Sequence, residues 1–200
     1  TGKDDYHLQL RVGQCLKRIG FMEDAISQLQ HILYCDPKNL LATLELGHCF
    51  ELGNSHKQAL LLYQRPQVWS LGDPHILRQA GSCALKLRQY HHAQLYFQEA
   101  IKKGLSSIKN LALLGFSFEC QECWEEAEET YFQLIEQFPQ HPAGYRGLAW
   151  LYGVGFSVHL EPKDGLFMAQ QAVKILPDVT SWELLSACEA RAGNFTNAHQ

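Results

Sequence analysis

The sequence predicts an all-α protein of stacked helix-turn-helix hairpins, and three observations carry that expectation. Glycines stand at Gly13, Gly47, Gly81 and Gly115, each 34 residues from the next, and alanines at Ala25, Ala59, Ala93 and Ala127 keep the same interval. With Gly at ~7% of ordinary sequence, three further glycines at one preset offset arise by chance about once in 3,000 trials. At the same period Leu29, Tyr63, Phe97 and Tyr131 fill one large apolar position. Helical periodicity supplies the third observation. Leu111, Leu114 and Phe118 share one face of a 3.6-residue helix, Ala127, Tyr131 and Leu134 repeat the pattern after a break, and Pro139 closes the pair. No hairpin this short buries its apolar stripe alone, so neighbours must stack.

A unit of ~34 residues reading apolar, Leu, Gly, aromatic, then Ala, aromatic and Pro resembles the tetratricopeptide repeat family. The matching residues are those just named, with Pro37 and Pro139 at repeat ends, and the resemblance covers nearly the whole chain. It implies a right-handed α-solenoid of about six hairpins, the last incomplete, whose first helices line a concave groove. Residues 1–200 then form a single solenoid, with repeats near 6–39, 40–73, 74–107, 108–141 and 142–178 and an incomplete one at 179–200.

Repeat one places Val12, Gly13 and Leu16 on its first helix and Ala25, Leu29 and Ile32 on its second, with Gly20 at the turn. Repeat two departs at Pro66, so its second helix is expected to stop near Gln64, leaving Gln67 to Asp73 irregular. Repeat three has Leu77, Gly81, Ala93 and Phe97, with Gly104 where a terminal Pro is expected. Repeat four opens its second helix at Trp124, followed by Glu125 and Glu126, whose carboxylates suit a helix N-terminus. Repeat five starts near Pro142 and carries an insertion of three or four residues. There Gly153 to Val158 is expected to be the longest non-helical stretch, before a helix through Met168, Ala172 and Ile175 that stops at Pro177. Repeat six begins with Trp182 and Leu185 and turns at Gly193.

Composition narrows the function. The chain is 46% hydrophobic and 19% charged, as a folded protein is, and no run approaches the ~18 apolar residues of a membrane span. A net charge of −4 without any basic run argues against nucleic acid, since phosphate neutralisation needs clustered Lys and Arg. Seven cysteines spread over the repeats suit reduced thiols in the cytoplasm better than a disulfide scaffold.

No constellation points to catalysis, a metal or a cofactor. Cys120 and Cys123 form a CxxC at the turn of repeat four, but zinc needs two further ligands, for which only His91 and His92 offer themselves, and a redox motif needs a strand that is absent. Two independent cysteines is the favoured reading. None of the ten histidines stands in an HExxH pattern, Ser106 to Lys109 matches SxxK without companion motifs, and Gly153 and Gly155 lack a preceding strand. Asn194, Phe195 and Thr196 spell a glycosylation sequon, relevant only to a secreted chain.

Function is therefore sought on the surface. Applied to this chain, the family's groove positions are Arg11, Gln14, His48, Arg78, Ser82, Lys109, Phe116, Arg146 and Trp150, with His7, Leu10, Arg18, Glu45, Gln79, Lys86, Leu113, Gly147 and Glu183 beside them. Such a groove is polar and somewhat basic at its start and apolar, with two aromatics, toward its end. It would complement a peptide with acidic or C-terminal carboxylate character. One subfamily grips chaperone tails with a Lys, Asn, Asn, Lys, Arg clamp; here those slots read Leu10, Gln14, Glu45, His75 and Gln79, and the clamp is missing. Glu122, Glu125, Glu126, Glu128 and Glu129 are expected to form a solvated acidic patch. The expected role is a non-catalytic protein-binding scaffold or adaptor. A chaperone for secretion-system or membrane-complex subunits and a regulatory module of a larger enzyme are the alternatives.

Overall fold

The fold is that of a computed structural model, which describes residues 2–156 and 162–193; the side chains of residues 2–5, 154 and 162 are left aside. The described residues form helices and no strand: α1 (Gly2–Arg18), α2 (Met22–Cys35), α3 (Leu40–Leu52), α4 (His56–Tyr63), α5 (Pro66–Trp69), α6 (Pro74–Lys86), α7 (Tyr90–Lys102), α8 (Ile108–Glu119), α9 (Trp124–Gln137), α10 (Pro142–Val154), α11 (Pro162–Ile175) and α12 (Val179–Arg191). Two compact units result, Thr1–Leu105 and Ser106–Gln200.

In the first unit the hairpins α1/α2, α3/α4 and α6/α7 stack, α2 lying against α3 and α4 against α6. The second unit stacks α8/α9 and α10/α11 in the same manner, with α9 against α10 and α11 against α12. The four alanines at the 34-residue interval are all fully buried. The glycines of the register mark where the two helices of a hairpin approach most closely. A methyl group on Gly81 would lie 2.6 Å from the Phe97 ring and one on Gly115 2.6 Å from Tyr131, while one on Gly47 would collide with the Tyr63 hydroxyl. Gly13, facing the smaller Leu29 at 3.2 Å, has more room. Repeat five exchanges the roles, because Tyr152 on the first helix fills the space left by Gly165 on the second.

Two further sets of residues keep the same interval. The side chains of Asn39, Asp73, Ser107 and His141 each accept a hydrogen bond from a backbone N–H at the start of α3, α6, α8 and α10, satisfying a donor the helix leaves unpaired. Asp178 does the same for α12, 37 residues after His141 instead of 34, which sizes the insertion at three residues. At the hairpin turns Gly20, Asn54, Arg88 and Glu122 all adopt positive φ, between 57° and 91°.

Val12 lies on α1 as expected, but is 43% exposed. It belongs to a stripe of Leu8, Val12, Cys15 and Ile19 that faces solvent, whereas Ala42, Leu46 and Cys49, 34 residues on, are buried beneath α2. Pro66 does stop α4, at Tyr63, but the chain then forms the single-turn helix α5, because Pro66 is tolerated at a first helical position. Gly153 and Val154 remain helical, and α10 ends instead at Gly155 in the left-handed conformation; Ser157 and Val158 lie outside the described residues, as do the sequon and the residues beyond Gly193. Glu128, placed by sequence in a solvated acidic patch, is fully buried, while Glu122, Glu125, Glu126 and Glu129 are exposed.

Candidate functional site

One register position recurs along the first helices: Gln14 on α1, His48 on α3, Ser82 on α6, Phe116 on α8 and Trp150 on α10. Since 34 residues bring the chain back to the same point of the next hairpin, these side chains occupy equivalent places within their repeats.

In the first unit this position is polar and partly satisfied from within. The Gln14 carboxamide donates to Glu45 Oε1 at 2.8 Å, Lys17 forms an ion pair with Glu45 Oε2, and Lys17 Nζ lies 3.1 Å from His48 Nδ1. Burial raises the Glu45 carboxyl, but the hydrogen bonds from Lys17 and Gln14 and the charge of Lys17 outweigh it and leave the pKa below its usual value. Lys17 was missed at the sequence level; its only signal was a position three residues along the helix from Gln14. Arg11 is exposed, Arg78 is half-buried, and the Ser82 hydroxyl is turned back to the Arg78 carbonyl at 3.0 Å. Leu10 is no groove residue. It is 7% exposed and packs in the core with Ala42 and Leu46.

The second unit carries the aromatic pair. Phe116 on α8 is 48% exposed and Trp150 on the adjacent α10 is 36% exposed, while Lys109 stands exposed on the first turn of α8. Arg146, expected beside them as a cation awaiting a ligand, is already engaged. Its guanidinium donates to Asp178 Oδ1 at 2.6 Å and to the Ser181 hydroxyl at 2.8 and 3.0 Å, joining α10 to the first turn of α12. The backbone N–H of Ser181 and then Arg146 hold the Asp178 carboxyl below the usual range. Gly147 likewise leaves the groove set: a Cβ there would lie 2.6 Å from the ring of Tyr131, so it is a packing position against α9.

The cysteines are free thiols. Burial, with the Glu119 carboxylate nearby, raises Cys120, the opposite of what a nucleophilic CxxC requires; Cys83 and Cys188 are pushed up to about 12 by burial. Among the described residues no group of three or more His, Cys, Asp or Glu side chains is placed to hold a metal ion. Ser106 of the SxxK match donates its hydroxyl to Gln137 at 2.5 Å, and Lys109 is exposed. No helix among the described residues is long and apolar enough to cross a membrane.

The 34-residue hairpins, the small residues at each helix crossing and the capped first helices define the tetratricopeptide-repeat fold, and this chain has it. Solved structures confirm the fold. The chain is similar to YrrB, described as a TPR protein with an unusual peptide-binding site (18% identity, TM-score 0.70, 92% of this chain and 90% of that one). It is similar to PilW, described as a widely conserved type IV pilus biogenesis factor (17% identity, TM-score 0.77, 97% and 89%). A third likeness is to MamA from Desulfovibrio magneticus RS-1 (18% identity, TM-score 0.70, 82% and 90%). No protein-family model and no curated protein matches the sequence.

Proposed function

We propose that the chain is a non-catalytic scaffold that binds a peptide or partner segment along its first helices. The observation that carries this reading is the exposure of Phe116 and Trp150 at one register position of adjacent helices α8 and α10. Large rigid aromatics on a surface supply the contact area that dominates binding energy. Lys109, exposed on the same helix as Phe116, supplies positive charge, which favours a partner with acidic or carboxylate character. Free thiols throughout suit a reducing compartment such as the cytoplasm.

A second reading, an assembly factor or chaperone for subunits of a membrane complex, is supported by the likeness to PilW. It uses the same surface for a different client. Selection of a displayed random-peptide library on the immobilised chain tests the shared claim. Enriched sequences with an apolar anchor and acidic flanks, displaced by Phe116→Ala, support it; enrichment indifferent to Phe116 and Trp150 moves the binding surface elsewhere.

A further inference from the structure

Pro66 leaves more behind than a kink. Helices α2, α7 and α9 run for 14, 13 and 14 residues, while α4 has eight. After Tyr63 the chain turns away, with Arg65 extended at φ −57° and ψ 134°, and the turns that would have continued α4 are missing. A cleft of about 600 Å³ opens between the C-terminal half of α2, Pro37 and the α4–α5 junction. Its floor is apolar: Leu33 is 6% exposed and Leu46 1%.

Four polar side chains line it, Gln30, Tyr34, Arg65 and Gln67. None of the four makes a hydrogen bond or ion pair with another described residue. Tyr34 is 87% exposed. Arg65 is the only charged residue of the lining, and a guanidinium fork without a partner fits a carboxylate in two-point fashion. The two carboxamides each carry a donor and an acceptor, which match main-chain amides; a simple acyl carboxylate would leave them unpaired. The volume lies in the range of small-ligand sites, about 300–1,000 Å³.

We propose that this cleft is a second peptide site, separate from the first-helix surface, which takes the C-terminal residues of a chain ending in a bulky aliphatic side chain. The side chain rests on Leu33, Leu46 and Pro37, the terminal carboxylate pairs with Arg65, and Gln30 and Gln67 hydrogen-bond the last peptide groups.

The test is methyl NMR on the full 200-residue chain, titrated with acetyl-Ala-Ala-Leu as its free acid, with the same peptide as its C-terminal amide, and with hexanoate. The free acid is expected to shift the Leu33 and Leu46 methyls saturably. The amide should bind at least tenfold more weakly, as should the free acid to Arg65→Gln, and hexanoate should bind more weakly too. Trp150→Ala should leave the titration unchanged, so that failure of the first-helix reading and failure of this one remain separable. Equal binding of acid and amide, indifference to Arg65→Gln, or silence at both leucines overturns the proposal. Hexanoate binding as tightly as the peptide would assign the cleft to acyl carboxylates and overturn it as well.

Discussion

The Tyr131 hydroxyl donates to Glu119 Oε1 at 2.6 Å, twelve residues back across the hairpin turn. The same bond joins Tyr63 to Glu51 at 2.9 Å, two repeats earlier. Between them, repeat three has Phe97 and Leu85 at the corresponding positions, with no hydroxyl and no carboxylate. On the second helices of repeats two and four the buried phenol is thus matched by a carboxylate acceptor, whereas the buried Tyr152 hydroxyl on α10 has none among the described residues. Burial raises the Glu119 carboxyl even though the Tyr131 hydroxyl pulls it down. Because the folded-state value lies above the unfolded one, Glu119 favours the fold at low pH and loses that contribution as pH rises through its folded value.

Tyr131→Phe removes the donor and leaves the carboxylate with one partner fewer. We expect a loss of about 1–3 kcal/mol at pH 7, and a smaller loss at pH 4, where Glu119 is closer to neutral. Urea unfolding at the two pH values checks this; equal losses would show that the ionised carboxylate is not what the hydroxyl serves.

Glu45 works in the opposite sense. Its folded pKa is lowered, so its contribution is present above the unfolded carboxylate value and is lost as pH falls through the folded one. Glu45→Gln should flatten the acid limb of the stability curve and leave the neutral region less affected. An acid limb identical to that of the parent chain would contradict the Lys17–Glu45 assignment.

The turn residues offer a gain instead of a loss. Arg88 and Glu122 hold φ at 58° and 60°, where a side chain costs roughly 1–2 kcal/mol. Glycine relieves that at an entropic cost of roughly 0.5–1 kcal/mol. Arg88→Gly and Glu122→Gly should each stabilise by about 0.5–1 kcal/mol, read as a rise in Tm; a fall in both would contradict the turn geometry.

Equivalent register positions should differ sharply in what they tolerate. Leu46, 1% exposed beneath α2, should cost about 2–5 kcal/mol as alanine. Val12, 34 residues earlier and 43% exposed, should change stability by no more than about 0.5 kcal/mol. Denaturant midpoints of the two variants decide; similar losses would mean that α1 is covered as α3 is.

The pattern of success and error in the sequence reading has physical causes. Gly47 with Tyr63 and Gly81 with Phe97 were legible because a small residue opposite a large one is a volume constraint that must recur with the fold. Pro66 was legible because a missing N–H breaks a helix wherever it falls. The exposure of Val12 was not legible, because periodicity reports which residues share a face, not whether anything lies against it. The caps at Asn39, Asp73 and Ser107 share a period but not an identity, as do Asn54, Arg88 and Glu122, so neither set stands out by residue type. Arg146 looked like a free cation because its partner Asp178 lies beyond the insertion, where the 34-residue register no longer predicts what is adjacent.

Binding of a library-selected peptide to Trp150→Ala, measured by calorimetry alongside circular dichroism of the same sample, tests the central claim most directly. The account predicts that affinity falls by about 2 kcal/mol or more while the helical signal is unchanged, since Trp150 is partly exposed. Unaltered affinity in the folded variant, or collapse of the helical signal with no separable binding defect, would contradict it.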